Sequence, residues 1–207
     1  MKGKILLAGL AAGLLLAGMA GARGAKGDFV IALHYTAPES EESDVSLASG
    51  LSGKPVKLSI TDGRKASDPA VIGESSDDDD KVWPVRTSND LASWADEVLQ
   101  KSAAEWGVKI ADDAPLTLSG QLTKLQLVES NKAVGSTYRV ELEVSFSLKD
   151  AKGKTLWSGT VPGDTTRYGK KRSAENANEV MRDALREAYT DLFNTSELQA
   201  AWAGNSK

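Results

Sequence analysis

The stretch YRVELEVSFSL, residues 138–148, alternates apolar and polar side chains from end to end. Successive side chains of a β-strand point to opposite faces of the sheet, so this two-residue period predicts a strand with one buried and one wet face. The sequence Asp150-Ala151-Lys152-Gly153 that follows is typical of a hairpin turn, and residues 155–161 predict the returning strand. An antiparallel pair is therefore the centre of the predicted fold.

Further strands are predicted on the N-terminal side of this pair. Residues 29–35 form an apolar run of β-prone side chains, and residues 56–60 alternate with a period of two before the turn signal at residues 62–63. Residues 116–127 also alternate, but their apolar positions change parity, which indicates a bulge or bend near residues 123–124.

Two segments have the spacing of amphipathic helices. Ser88 or Asn89 can cap the first and Gly107 can end it, whereas Ser173 can cap the second. Their apolar stripes consist of Leu91, Trp94, Ala95, Val98, Leu99, Ala103 and Trp106, and of Ala177, Val180, Met181, Ala184, Leu185, Ala188, Leu192 and Phe193. The order strand, strand, helix, three strands, helix predicts an α+β fold, in which both helices pack on the one apolar face of an antiparallel sheet.

The N-terminus has the features of an export signal. A basic start precedes an apolar run at residues 5–16, and Ala20-Gly21-Ala22 fits the small-residue pattern that signal peptidase cuts. We therefore predict a signal peptide at residues 1–22, a mature N-terminus at Arg23, and a periplasmic or secreted protein without stable membrane insertion. An uncleaved anchor is the alternative, which is disfavoured because about 20 apolar residues are normally needed to span a bilayer.

Three regions follow the signal peptide in the predicted organisation. Residues 23–53 hold the first strand and an acidic loop, and residues 54–194 hold the main α+β domain. Residues 195–207 are expected to be a frayed C-terminal tail, in which Leu198 and Trp202 could make packing contacts.

Composition argues against several classes of function. Removal of Lys2 and Lys4 with the signal peptide changes the formal net charge from −4 to −6, which disfavours a broad nucleic-acid surface. The absence of cysteine excludes disulfides and thiolate metal sites. His34 is the one histidine, so a serine nucleophile would have a single candidate base. We assign no catalytic residue, cofactor or metal ligand.

Four aspartates at residues 77–80 are interpreted as a solvated connector between a strand and the next helix. A dedicated calcium loop places its carboxylates at alternate positions and contains a glycine, and this run does neither.

Lys170, Lys171 and Arg172 immediately precede the second helix. Cations at a helix N-terminus oppose the helix dipole, so we predict these three side chains as contacts for an anionic partner; an ordinary solvated loop is the alternative.

A short motif gives a family resemblance. Asp62 and Arg64 lie at the end of a strand, and Ile72 and Gly73 follow after a short loop. Together with the helix, strand hairpin and C-terminal helix that come next, this arrangement resembles the YajG family of bacterial envelope lipoproteins over about residues 54–194. The resemblance implies a small exported α+β module without established enzymatic activity. The chain departs from the family in lacking the cysteine that carries the lipid.

These observations predict a non-enzymatic envelope protein that binds or assembles with another envelope component. Its contact surface is expected at a sheet edge or on the polar sheet face, and Asp62 and Arg64 are expected to pair where the chain leaves its strand. Two alternatives stay open: an auxiliary subunit of an envelope transport system, and a hydrolase that uses Asp62 and Glu74 as paired carboxylates.

Overall fold

A computed structural model describes residues 29–37, 51 and 53–204 of the chain. In this part of the chain, seven strands and three helices follow one another as β1 (Phe29–Ile31), β2 (Val56–Asp62), β3 (Val71–Ser76), β4 (Val82–Thr87), α1 (Leu91–Glu105), β5 (Leu116–Lys132), β6 (Gly135–Asp150), β7 (Thr155–Gly169), α2 (Ala174–Asn194) and α3 (Ser196–Ala203). The predicted signal peptide and the predicted acidic loop, residues 38–44, lie outside the described residues.

All seven strands belong to one sheet, in the order β1-β4-β3-β5-β6-β7, with β2 also beside β5. Strand β5 pairs along its length with β6 on one side. On its other side it pairs with β2 over residues 116–122 and with β3 over residues 127–130. The β5–β6 register shifts between Leu122 and Lys124. A bulge bends its strand, and this one lies at the point where the neighbour of β5 changes from β2 to β3.

The prediction of an antiparallel sheet with two helices on one face is wrong. The β1–β4, β2–β5 and β3–β5 pairs are parallel, the other pairs are antiparallel, and the described residues contain three helices. The alternating pattern of a strand reports which face is buried and carries no information on direction. Strand β5 follows β2 only after a long connection that includes α1, and such a crossover permits parallel pairing.

Two strands that the sequence did not predict, β3 and β4, flank the aspartate run, which was interpreted as a solvated connector between a strand and the next helix. Strands β3 and β4 form an antiparallel hairpin, and the aspartate run is its turn. The sequence signal was weak because β3 is mostly small or polar and β4 contains Pro84. Strand β7 also extends to Gly169, beyond the predicted residues 155–161. The prediction ended early because the second half of this strand is mostly polar and shows no alternation of apolar and polar side chains.

The core lies between the sheet and the helices. Inward positions of β6 from Tyr138 to Leu148 are buried, as are the apolar stripes of α1 and α2. The ring of Phe193 packs edge-on against Trp106 and Trp202, with centroid distances of 5.6 and 6.4 Å. The helices therefore cover one face of the sheet and leave the other face to solvent.

The helix ends follow ordinary capping chemistry. Asp90, rather than Ser88 or Asn89, caps α1, because its carboxylate accepts the backbone N–H of Ser93 at 2.6 Å. Ser173 caps α2 as predicted, accepting from the backbone N–H of Asn176 at 3.4 Å. Helices in the described part of the chain are each too short or too polar to cross a membrane.

The C-terminal segment forms helix α3 instead of the expected frayed extension. Leu198 and Trp202 are buried, and the indole Nε1 of Trp202 donates to the carbonyl of Lys54 at 3.1 Å. Burial of these two side chains gives a short helix the tertiary support that its length alone does not provide.

Candidate functional site

Asp62 and Arg64 form a clamp at the C-terminal end of β2. The guanidinium of Arg64 donates to both carboxylate oxygens of Asp62, from Nε at 3.0 Å and from Nη2 at 2.8 Å. It also donates to the carbonyls of Pro69 and Val71 at 2.8 and 3.0 Å. The Arg64 side chain is only 7% exposed. One side chain thus joins the end of β2 to the loop that leads into β3.

Ile72 and Gly73 begin the strand that this loop leads into. Ile72 is buried, and Gly73 lies against the backbone of Leu127 in β5. A Cβ atom at Gly73 would lie 1.9 Å from the carbonyl oxygen of Leu127, so only glycine fits there without movement of the backbone. The structure thus gathers the four motif residues around the junction of β2, β3 and β5. Their structural role stays a prediction.

Hydrogen bonding from Arg64 holds the pKa of the Asp62 carboxyl below its usual value. A carboxyl whose pKa falls on folding stabilises the protein above its unfolded pKa of about 3.9, and this stabilisation is lost as the pH falls through the folded pKa. The clamp should therefore be strongest at neutral pH.

We expect Arg64→Ala to lower the free energy of unfolding by about 2–3 kcal/mol at pH 7, because it leaves a carboxylate and two carbonyls without their charged donor. Chemical denaturation measures this change, and Lys65→Ala, an exposed neighbour, is the control. The stability difference between wild type and Asp62→Asn should shrink as the pH is lowered from 5 towards 2. An unchanged midpoint for Arg64→Ala at pH 7 would refute the clamp.

A second charged cluster, which the sequence did not reveal, lies inside the fold. Glu129 on β5 and Ser75 on β3 are fully buried, and the Ser75 hydroxyl donates to Glu129 Oε2 at 2.5 Å. Arg172 Nη2 donates to the same carboxylate oxygen at 3.1 Å and to the Ser75 hydroxyl. The Arg172 guanidinium also lies over the ring of Phe29, 5.3 Å from its centroid.

The three residues of the predicted basic contact do not share one surface. Arg172 points inward to a buried carboxylate, whereas Lys170 and Lys171 are exposed. A run of cations gives no sign of which side chain has an internal partner, and the partner of Arg172 lies 43 residues away in the sequence.

The aspartate run forms an ordered β-turn. The Asp77 carboxylate accepts the backbone N–H groups of Asp79 and Lys81 at 2.9 and 3.1 Å. Lys132, at the end of β5, donates to the carbonyl of Asp77 at 2.8 Å and pairs with the Asp80 carboxylate at 3.2 Å. No group of three His, Asp or Glu side chains within the described ranges is placed to hold a metal ion.

Asp62 and Glu74 are far apart. They pair in register with Leu122 and Val128 of β5, and six residues of strand correspond to roughly 20 Å. Paired carboxylates of glycoside hydrolases stand about 5–10 Å apart. The geometry therefore does not support this pair as a general acid and base.

The uncovered face of the sheet has a regular hydroxyl surface, which we call the serine face. One row crosses four strands and consists of Ser59, Ser119, Ser147 and Ser158; the next consists of Thr61, Gln121, Ser145 and Thr160. Ser59 donates to Ser119 at 3.3 Å, and the hydroxyls of Ser145 and Thr160 are 2.9 Å apart. The outward positions of each strand are visible in the sequence, but their alignment into rows depends on the register.

The family model described as "Uncharacterized lipoprotein" (Lipoprotein_16) matches residues 43–202, which is most of the chain. The chain belongs to this lipoprotein family. Membership indicates an exported protein of the bacterial envelope, although the 207 residues contain no cysteine to carry a lipid. A search of curated proteins finds no match.

Several solved structures are similar to this chain at low sequence identity. A Xanthomonas campestris protein of the DUF330 family is 10% identical with a TM-score of 0.50, and the match covers 84% of this chain and 96% of that one. A minor lipoprotein from Acinetobacter baumannii is 12% identical, with a TM-score of 0.34 and coverages of 72% and 90%. PelC from Paraburkholderia phytofirmans, a dodecamer, is 18% identical, with a TM-score of 0.31 and coverages of 66% and 88%.

Proposed function

We propose that this chain is a non-enzymatic binding module of the YajG type, whose partner is another protein of the cell envelope. Export would follow cleavage after Ala22, so N-terminal sequencing of the exported protein is expected to begin at Arg23. Membership of the lipoprotein family supports the envelope location. Residues 54–194 would form the body of the module, with β1 and α3 packed on it.

The serine face is the observation that carries this proposal. Three helices occupy the other face of the sheet, while four strands present two aligned rows of polar side chains, all of which are serine or threonine except Gln121. Serine and threonine have little side-chain entropy to lose, and hydroxyls can both donate and accept. A surface of this kind suits a protein partner that has matching backbone or side-chain polar groups.

The edge of the sheet at β7 extends this surface. Among the described strands β7 pairs only with β6, so its other edge offers backbone groups for strand addition. Glu187 of α2 accepts the backbone N–H of Asp164 at 3.3 Å and blocks the edge locally. This contact leaves the first half of β7, next to Ser158 and Thr160, as the accessible part. Lys170 and Lys171, which follow the last residue of β7, remain proposed contacts for an anionic group of the partner.

A photoreactive side chain at Ser147 should form a covalent adduct with one discrete envelope protein in living cells, because this position lies centrally on the serine face. The matched control is Ala104, an exposed small residue of α1 on the helix side, where we expect no such adduct. Adducts are separated by size and identified by mass spectrometry. The same adduct pattern at both positions, or no adduct at Ser147, would contradict the proposal.

A further inference from the structure

We propose that two copies of this chain pair through their β7 edges and form an antiparallel dimer. In this dimer Gly159 lies opposite Gly159 of the second copy, and the two sheets become one continuous sheet. The inference goes beyond the proposed function, because it assigns an occupant to the β7 edge and requires no other envelope protein. Both serine faces would lie on the same side of the joined sheet and stay open to a partner.

Alternate residues of β7 point their backbone N–H and C=O groups away from β6. Opposite residues of an antiparallel pair alternate between hydrogen-bonded and non-hydrogen-bonded pairs, and the N–H of Asp164 points outward, since it donates to Glu187. Ser158, Thr160 and Pro162 share this parity in the regularly paired part of β7. Pro162 has no N–H and fits an outward position. Outside the ladder, the backbone groups of Ser158 and Thr160 make no hydrogen bond with described residues.

The accessible part of this edge lacks the charges that usually protect an edge strand. Edge strands commonly carry charged side chains that prevent pairing with another chain. Residues 155–163 contain no charged side chain, and Ser158 and Thr160 are exposed. The half-buried ring of Trp157 lies against Gly159. Free backbone groups and partly exposed apolar surface therefore occur together along the first half of β7.

The charges at the two ends of this segment select a second copy as the occupant. Lys154 precedes the segment and Asp164 follows it, each five residues from Gly159. Both side chains are exposed, and neither forms an ion pair with a described residue. Lys152 adds to the positive end and Glu187 to the negative end. Antiparallel pairing about Gly159 brings the positive end of each copy to the negative end of the other.

This register also fixes the contacts at the centre of the dimer. Ser158 lies opposite Thr160 of the second copy, so their backbones exchange a pair of hydrogen bonds, and the symmetric pair does the same. Opposite side chains of paired strands lie on the same face, so the two serine faces meet at the dimer axis. Pro162 contributes only its carbonyl, which keeps the new ladder short. The dimer should therefore dissociate on dilution.

Cysteine cross-linking of the purified protein tests the register, because the sequence has no cysteine of its own. Opposite residues of a hydrogen-bonded pair have Cα atoms about 5.5 Å apart, which a disulfide spans, whereas diagonal positions are about 7–8 Å apart and are too distant. A mixture of Ser158→Cys and Thr160→Cys should therefore form a disulfide dimer on mild oxidation, and each variant alone should not. Gln121→Cys, exposed on the central strand β5, replaces Ser158→Cys in the control mixture.

Thr160→Pro tests the edge itself. The substitution removes an outward N–H without loss of a hydrogen bond to β6, as at Pro162 in the same strand. Sedimentation should show that the dimer fraction of the wild type increases with concentration. Thr160→Pro should raise the dissociation constant by about tenfold or more, because the dimer loses two backbone hydrogen bonds. Thr166→Pro, which has the same parity beyond the contact of Glu187, is the matched control and should leave the dissociation constant unchanged.

Exchange of the flanking charges tests why the occupant is a second copy. Lys154→Asp or Asp164→Lys alone should raise the dissociation constant by about threefold or more at low salt, and the double variant should restore it. A protein that is monomeric at every concentration, equal disulfide yields with and without the Ser158 partner, or no rescue by the double variant would overturn the proposal. The adduct at Ser147 should also form in monomeric Thr160→Pro, so either proposal can fail alone.

Discussion

Replacement of Gly73 by alanine should lower the free energy of unfolding by about 3 kcal/mol or more. The added methyl group would lie 1.9 Å from the carbonyl oxygen and 2.8 Å from the backbone nitrogen of Leu127. These atoms belong to the central strand β5, which also pairs with β6, so neither strand can move without loss of ladder hydrogen bonds. Urea denaturation followed by tryptophan fluorescence measures the change.

Gly53→Ala is the matched control for this substitution. A Cβ atom at Gly53 would have no neighbour within 4 Å, so we expect a change within about 0.5 kcal/mol, or a slight gain from the stiffer unfolded chain. If Gly73→Ala and Gly53→Ala had the same unfolding midpoint, β3 would not approach β5 as closely as the structure shows. Close packing against β5 would then not explain why a glycine stands at position 73.

Local patterns predicted those elements whose burial is visible in the sequence. The alternation of residues 138–148 corresponds to β6, and the change of parity near residues 123–124 corresponds to the bulge in β5. Both helices were predicted because their apolar stripes face the sheet. In each case the apolar side chains of one element face the core, and the periodicity of the sequence reports this burial.

Features that depend on pairing between distant segments were not predictable in this way. The parallel pairing of β2 with β5 requires a register between residues about 60 positions apart. The β3–β4 hairpin has little apolar alternation, since Ser75 on its inner face faces Glu129 instead of a hydrophobic side chain. The serine face likewise exists only after four strands align. The contacts and surfaces that support the functional proposals therefore come from tertiary structure.

The second large effect is expected at Arg172, where the substitution Arg172→Met should lower the free energy of unfolding by about 3–5 kcal/mol. Glu129 is fully buried, and its Oε1 has no hydrogen-bond donor among the described residues. Arg172 therefore supplies the charge that compensates this carboxylate. Lys171→Met, at the exposed neighbouring position, should change stability by about 0.5 kcal/mol or less.

The double substitution Glu129→Leu with Arg172→Met separates an uncompensated charge from simple loss of packing. Breaking a buried ion pair is costly because one charge remains, whereas replacing both partners with apolar side chains of similar size is often neutral. The double variant should therefore recover most of the stability that Arg172→Met loses, as measured by chemical denaturation. If it is instead as unstable as the single variant, Arg172 acts mainly through its contact with the Phe29 ring, and the buried pair contributes little to holding α2 and β1 on the sheet.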